Sequence, residues 1–523
     1  MIELTGSSLT IEQVVDIARR GSAVAPLNDD VCDRMQRSHQ WVLDAIEGEG
    51  RIIYGVNTGF GSLANRQISA AQARQLSHNL VVLCVVGVGD ALPEEIVRAM
   101  MAIRANMLVR GNSGVRPLVA QTLIHMLNAG VTPVVPAKGS LGASGDLAPL
   151  AHIAAVLCRD GEAVDGGYSG KAWHSGELLD GAEAMRRAGI ERPILQAKEG
   201  LALSNGIDFM AACGALATFD AENLLAHAQA AAVLSLEALA GLSAAFDPDL
   251  HRISGQPGQQ RVAANIRALT RGSHLVDSTP GRVQDAYSLR CTPQVLGPAL
   301  DAVAFVRARF IAAINAVTDN PLILPNPDGS YRAISGGNFH GQGPALWLDL
   351  LGITMAEVAD IAERRIFRLL TPELSNGLPA MLVRESGLDG GLMMVQYTAA
   401  ALVSDNKTLA HPDSVDSIPS CANQEDHVSM GANAARHTLE ILDNVRRVLA
   451  IEFLTAAQAV DLREDGPTRL GAGGAATYAA VRRVAQFLEH DRPTTPDIEA
   501  LAELIHSGVL AREVSSASGI DLP

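Results

Sequence analysis

The feature that most constrains the fold is a set of long stretches with helical apolar spacing. Residues 196–247 contain no proline, and their only glycines are Gly200, Gly206, Gly214 and Gly241. Residues 295–317, 341–370, 391–410 and 429–461 continue the pattern, with apolar side chains three to four apart, as in Leu439, Leu442, Val445, Leu449 and Phe453. Aromatic residues make up only 4% of the chain, so the buried faces are alanine and aliphatic, which suits close helix packing. This predicts a mainly α protein: a large central bundle of long helices over residues 191–523, with a smaller N-terminal domain over residues 1–190. The most apolar stretch, near Ala228–Phe246, is interrupted by Glu237 and reads as a buried core helix rather than a membrane span.

Composition narrows the function classes. The formal charge of −16 opposes attraction to nucleic acid or to an anionic membrane surface. Cys32, Cys84, Cys158, Cys213, Cys291 and Cys421 are scattered, with no Cys-x-x-Cys pair, so they read as small buried hydrophobes in a reducing cytoplasm. The start, Met1 to Thr5, has neither a basic region nor an apolar core, and no export signal is expected. No metal-binding spacing, Walker loop or dinucleotide fingerprint occurs, so neither metal nor nucleotide cofactor is expected.

The N-terminal part carries the first chemical candidates. Thr10 and Gln13 form a capping box that opens a helix. Residues 52–61 are a glycine-rich loop, either a connector or a mobile lid carrying the phenol of Tyr54. Residues 68–130 read as helices, with Leu83 and Cys84 facing a core or a pocket, and the Gly, Ser and Asp-rich stretch 160–181 as a hairpin or loop. Between them lies Gly142-Ala143-Ser144-Gly145-Asp146. One reading is a tight turn before a helix with Ser144 or Asp146 as N-cap. The other is chemical: if the loop is compressed, the Gly145 nitrogen attacks the Ala143 carbonyl, and loss of two waters leaves a five-membered electrophile that no ordinary side chain provides.

Further along, Asn205-Gly206 sits inside a helical pattern and marks a helix end or kink, with an amide available to a buried polar group. Gln284, Tyr287 and Arg290 are spaced by three and share a face if the segment is helical. Arg290 offers a planar fork suited to a carboxylate or to a surface salt bridge. Residues 335–340 form a glycine-rich turn with Phe339, residues 419–430 place Glu425 in a polar run before a helix, and Pro467 to Gly474 reads as a loop.

Taken together and in this order, these segments resemble the histidine, phenylalanine and tyrosine ammonia-lyase and aminomutase family from about Tyr54 to about residue 460, most specifically in Gly139–Leu150. The resemblance implies that Ala143, Ser144 and Gly145 cyclise into a 4-methylidene-imidazol-5-one with no nucleotide or metal. It makes Tyr54 the base, and Asn205 and Tyr287 donors to the ring oxygen. Arg290 would anchor the substrate carboxylate, with Gln284, Phe339 and Glu425 as pocket residues. It further implies a homotetramer with shared active sites. The reaction implied is loss of ammonia from an aromatic L-amino acid to give an α,β-unsaturated acid, with a 2,3-aminomutase as the alternative.

The implied substrate rests on two regions. Asn423 to Met430, with Glu425, are similar to the histidine-acting subgroup, as is Met393, which the resemblance places near the pocket. Leu83-Cys84 stands where histidine enzymes carry Ser-His, tyrosine enzymes His-Leu and phenylalanine enzymes Phe-Leu. That departure leaves tyrosine and phenylalanine open as substrates.

Overall fold

The computed structural model describes residues 1–522. Helix accounts for 58% of the chain and strand for 7%, so the mainly α expectation holds. The predicted long runs appear as helices Asp208–Ala238, Thr292–Ala313, Gln342–Leu370, Met393–Leu409 and Gly431–Asp461. Asp208–Ala238 leaves full burial only at residues 219, 220, 222 and 223, as an alanine-rich helix surrounded by protein should. No helix among the described residues is long and apolar enough to cross a membrane.

The chain forms two compact units. The first comprises Met1–Leu216, Arg307–Asp349 and Pro412–Arg436; the second comprises Ala217–Val306, Leu350–His411 and His437–Pro523. The single division after residue 190 suggested by the sequence is replaced by this interleaved one. The physical reason is helix length: of the five passages between the units, those at 216/217, 306/307, 349/350 and 436/437 fall inside a helix, and the one at 411/412 comes just after the helix Met393–Leu409.

The first unit holds the shorter helices, among them Ile11–Arg19, Ala73–Cys84, Glu94–Leu108 and Leu147–Leu157, together with short antiparallel strands. The capping box at Thr10 and Gln13 is present with both its reciprocal bonds. The 160–181 stretch contains the expected hairpin, in which Lys171–His174 pairs with Glu177–Asp180 from Lys171 opposite Asp180 to His174 opposite Glu177.

In the second unit a buried ion pair fixes three long helices against each other. Arg365 Nε and Nη2 donate to Glu452 at 2.5 and 2.9 Å, and Ser235 Oγ donates to the same carboxylate at 2.7 Å. Neither ionic side chain is exposed. Burying two charges is costly, so the pair adds little net stability, but three bonds in a fork geometry specify one register of the helices. One expectation fails here. Residues 467–474 are not a continuous loop, because helix Ala472–Val484 already includes Gly473 and Gly474. A Cβ at Gly473 would lie 2.5 Å from Leu269 Cδ2 and one at Gly474 1.7 Å from Glu237 Oε2. These glycines serve close packing rather than a turn.

Candidate active site

The Ala-Ser-Gly loop is held by backbone that only glycine can supply. Gly142 and Gly145 have φ of 68° and 70°, in the left-handed region. Gly145 forms a bridge with Gly206, and a Cβ on Gly145 would lie 2.1 Å from the Gly206 oxygen. The Asp146 amide donates to that oxygen at 2.7 Å. On the other side, the Gly142 carbonyl accepts from Ser429 Oγ and from the Gly341 amide, both at 3.0 Å. The tripeptide is therefore clamped at both ends.

Ser144 at its centre is half-buried. Asn205 Nδ2 donates to the Ser144 carbonyl at 2.6 Å, while the Asn205 Oδ1 atom is buried without a partner. The Ser144 hydroxyl is hydrogen-bonded to Glu425 Oε1. Ser420 Oγ donates to the other carboxylate oxygen at 2.5 Å. Asn205 is itself braced: Arg104 Nη1 donates to its carbonyl at 2.9 Å and to that of Ala202 at 2.8 Å, and Arg104 Nη2 pairs with Asp208 at 2.5 Å.

Asp146 takes a role different from the expected one. It occupies the N-cap position of Leu147–Leu157 but makes no side-chain bond there. Its carboxylate instead accepts from the Phe209 and Met210 amides at 2.9 and 3.1 Å, in the first turn of Asp208–Ala238. Helix N-termini carry unpaired donors and positive dipole ends, so an acid is favoured there. Burial nonetheless dominates and pushes the Asp146 carboxyl up to about 7, against its backbone hydrogen bonds and with help from the Asp208 charge. Asp208 is likewise pushed up by burial to about 6, with Arg104 opposing.

Tyr54 lies in a loop that is less open than a connector. Residues 55–59 are buried, the Gly55 amide donates to Thr58 Oγ1 at 2.9 Å, and the Ile53 amide donates to Asn57 Oδ1 at 2.8 Å. The Tyr54 phenol oxygen accepts from the Gly61 amide at 3.0 Å. Phe60 packs against a cluster of Leu80, Cys84, Ala151 and Leu201. The Cys84 thiol is pushed up to about 11, first by this burial and then by the Glu425 charge. Its neighbour Leu83 is 67% exposed. Of the pair, Cys84 belongs to the wall and Leu83 faces outward. Phe339 is half-buried.

Tyr287, Arg290, Gln284 and Met393 belong to the second unit. The helix there spans only Tyr287–Arg290, so Gln284 lies before it and does not share its face through helical spacing. The Arg290 guanidinium stands 4.7 Å over the Tyr287 ring, and Arg290 Nε is buried without a partner. Tyr287 is 71% exposed in the single chain, Gln284 is also exposed, and Met393 opens the helix Met393–Leu409.

Sequence reasoning missed Arg104, Ser420 and Ser429 as supports. Arg104 alone had a signal, as a charge within the apolar run Ala99 to Leu108.

This arrangement fits a cyclised tripeptide. The glycines allow close approach, an amide holds the central carbonyl, and an acid meets the hydroxyl that cyclisation would remove.

Residues 9–483 match the model of the family described as aromatic amino acid lyase. The chain is 50% identical to a histidine ammonia-lyase of Symbiobacterium thermophilum over 516 residues, 98% of each chain. Among solved structures it resembles a tyrosine aminomutase from Streptomyces globisporus, with 36% identity, TM-score 0.91 and full coverage of both chains. It also resembles a histidine ammonia-lyase from Trypanosoma cruzi, with 38% identity, TM-score 0.88, and coverage of 99% of this chain and 95% of that one.

Proposed function

The chain belongs to the aromatic amino acid lyase family, and from that premise we propose that it releases ammonia from L-histidine to give the α,β-unsaturated acid. The observation that carries this reading is the clamped Ser144, with Asn205 on its carbonyl and Glu425 on its hydroxyl. In our reading Ala143, Ser144 and Gly145 cyclise to a 4-methylidene-imidazol-5-one. That group supplies an electrophilic carbon that makes the substrate amine a better leaving group.

The remaining work falls to the chain's own side chains. Arg290 binds the substrate carboxylate, and its unpartnered Nε supports this assignment. Tyr54 removes the β-proton, its oxygen kept oriented by the Gly61 amide. Asn205 and Tyr287 hold the oxygen of the former Ser144 carbonyl. Glu425 pairs with an imidazole nitrogen of the substrate, while Cys84 supplies an apolar wall, with the exposed Leu83 at its outer edge, and Gln284, Phe339 and Met393 complete the pocket.

We also propose a homotetramer in which neighbouring subunits complete each site. Its support is the set of large apolar side chains left exposed on the long helices, including Phe305, Leu346, Ile353, Phe367 and Met394. Light scattering on the purified protein tests the assembly, and a monomer would refute it.

Leu83-Cys84 and the likeness to a tyrosine aminomutase favour a second reading, in which tyrosine or phenylalanine is the substrate or the ammonia returns to the β carbon. A screen of all proteinogenic L-amino acids decides. Ammonia with an unsaturated acid from L-histidine is expected, a β-amino acid on chiral chromatography selects the mutase, and no turnover of any aromatic substrate overturns both.

A further inference from the structure

Ser144 carries two hydrogen bonds that suit the formation of the electrophile, and one of them, from the hydroxyl to Glu425, has no counterpart once that hydroxyl has left. Making the group removes two waters. In the first loss, the Gly145 nitrogen bonds to the Ala143 carbonyl carbon. That oxygen departs with the Gly145 and Ser144 amide protons. In the second loss, the Ser144 Cα–H bond supplies the electrons of a new Cα–Cβ double bond while the Cβ–Oγ bond breaks. The Cα proton needs acidifying, and hydroxide is a poor leaving group unless it is protonated.

Both needs are met on the same residue. The Asn205 amide withdraws electron density from the Ser144 carbonyl at 2.6 Å, which acidifies the adjoining Cα–H. The carboxyl of Glu425 is bonded to the hydroxyl that must leave. Asp146, the neighbouring acid, is committed elsewhere, to the Phe209 and Met210 amides and to Ser140. We propose that Glu425 is the general acid for loss of the Ser144 hydroxyl, with Ser420 as its positioning residue.

In the folded loop the Ser144 and Ser420 hydroxyls donate to the two Glu425 oxygens. Glu425 takes up a proton from solvent on Oε1 and passes it to Ser144 Oγ as the Cβ–Oγ bond breaks, and the Cα proton passes to water. The net change is one water lost, with no oxidant or reductant. Ser420 holds the acid from both ends: its hydroxyl donates to Glu425 Oε2 at 2.5 Å, and its amide donates to the Glu425 carbonyl at 2.9 Å. The intervening Cys421, Ala422 and Asn423 all have left-handed φ, between 51° and 69°. This run is unfavourable for residues other than glycine, and it folds the loop back so that Ser420 meets Glu425. Once Oγ has left, Oε1 loses its partner and faces the pocket. One carboxyl thus serves maturation first and substrate recognition afterwards.

The inference rests on the cyclisation proposed above, and intact mass separates the two. The full chain is made in a cell-free system, translation is stopped, and mass is followed with time. Wild type ends two waters light; an unchanged wild-type mass would overturn the cyclisation itself. Glu425→Gln is expected to stall one water light, with the second loss slowed at least about a hundredfold, as for removal of a general acid. Ser420→Ala, which leaves the backbone bonds in place, slows the same step about tenfold, changes its pH profile, and is rescued by Ser420→Thr. Completion of both losses at the wild-type rate by either Glu425→Gln or Ser420→Ala overturns the proposal.

Discussion

Replacing Asp146 by Asn isolates the contribution of one buried ionisation. The folded carboxyl sits at about 7 against an ordinary 3.8. Below 3.8 it is protonated in both states. Between 3.8 and about 7 the folded chain retains a proton that the unfolded chain has released, so stability falls as pH rises, and the loss is complete above about 7. The full effect is on the order of 4 kcal/mol. Asn can accept the Phe209 and Met210 amides through Oδ1 and donate to Ser140, so Asp146→Asn preserves the bonds while removing the titration. Equilibrium denaturant unfolding of both proteins at pH 5 and pH 8 is the assay. The wild type is expected to lose several kcal/mol relative to Asp146→Asn across that interval, even though Asp208 and Glu237 also titrate there, because those groups are common to both. Parallel stability changes would refute the reasoning. Asp146→Ala is a different perturbation: it strands two helix donors and destabilises by about 2–5 kcal/mol at any pH.

Three other perturbations follow from the same geometry. Arg290→Lys keeps the charge but loses the fork, and steady-state ammonia assays should show KM raised about tenfold or more with a smaller change in kcat. Glu452→Gln leaves Arg365 buried without its counter-charge and should cost about 3–5 kcal/mol in denaturant unfolding, much of it recovered when Arg365→Met is added. Thiol alkylation at pH 8 followed by peptide mapping should label the exposed Cys421 and spare Cys84 and Cys158, whose thiols burial pushes to about 11 and about 12.

What the sequence made legible was what local pattern controls. The capping box at Thr10, the helix end at Asn205-Gly206 and the long helices are set by near neighbours, and each appears in the structure. Asp146 shows where that stops. Its cap geometry was visible, but its actual partners lie 63 and 64 residues away, beyond any local signal. Gly473 and Gly474 mislead for the same reason, since their function is to admit Leu269 and Glu237 rather than to turn the chain. In the site, the tripeptide and Asn205 were readable as types, whereas nothing set Ser420 apart within the polar run 419–430. The division at residue 190 failed because contiguity in sequence is a poor guide when helices pass through both units.

The interleaved chain also sets a clock. The first unit is not complete until residue 436 has been made, and Glu425 follows Ser144 by 281 residues. At ribosomal rates of about 5–20 residues per second, the tripeptide waits roughly 15–60 s between its own synthesis and the arrival of that carboxyl. On the route proposed above, the nascent loop keeps an ordinary serine through that interval, and a reactive carbon that could be captured by cellular thiols or amines would be withheld until the walls that shield it exist.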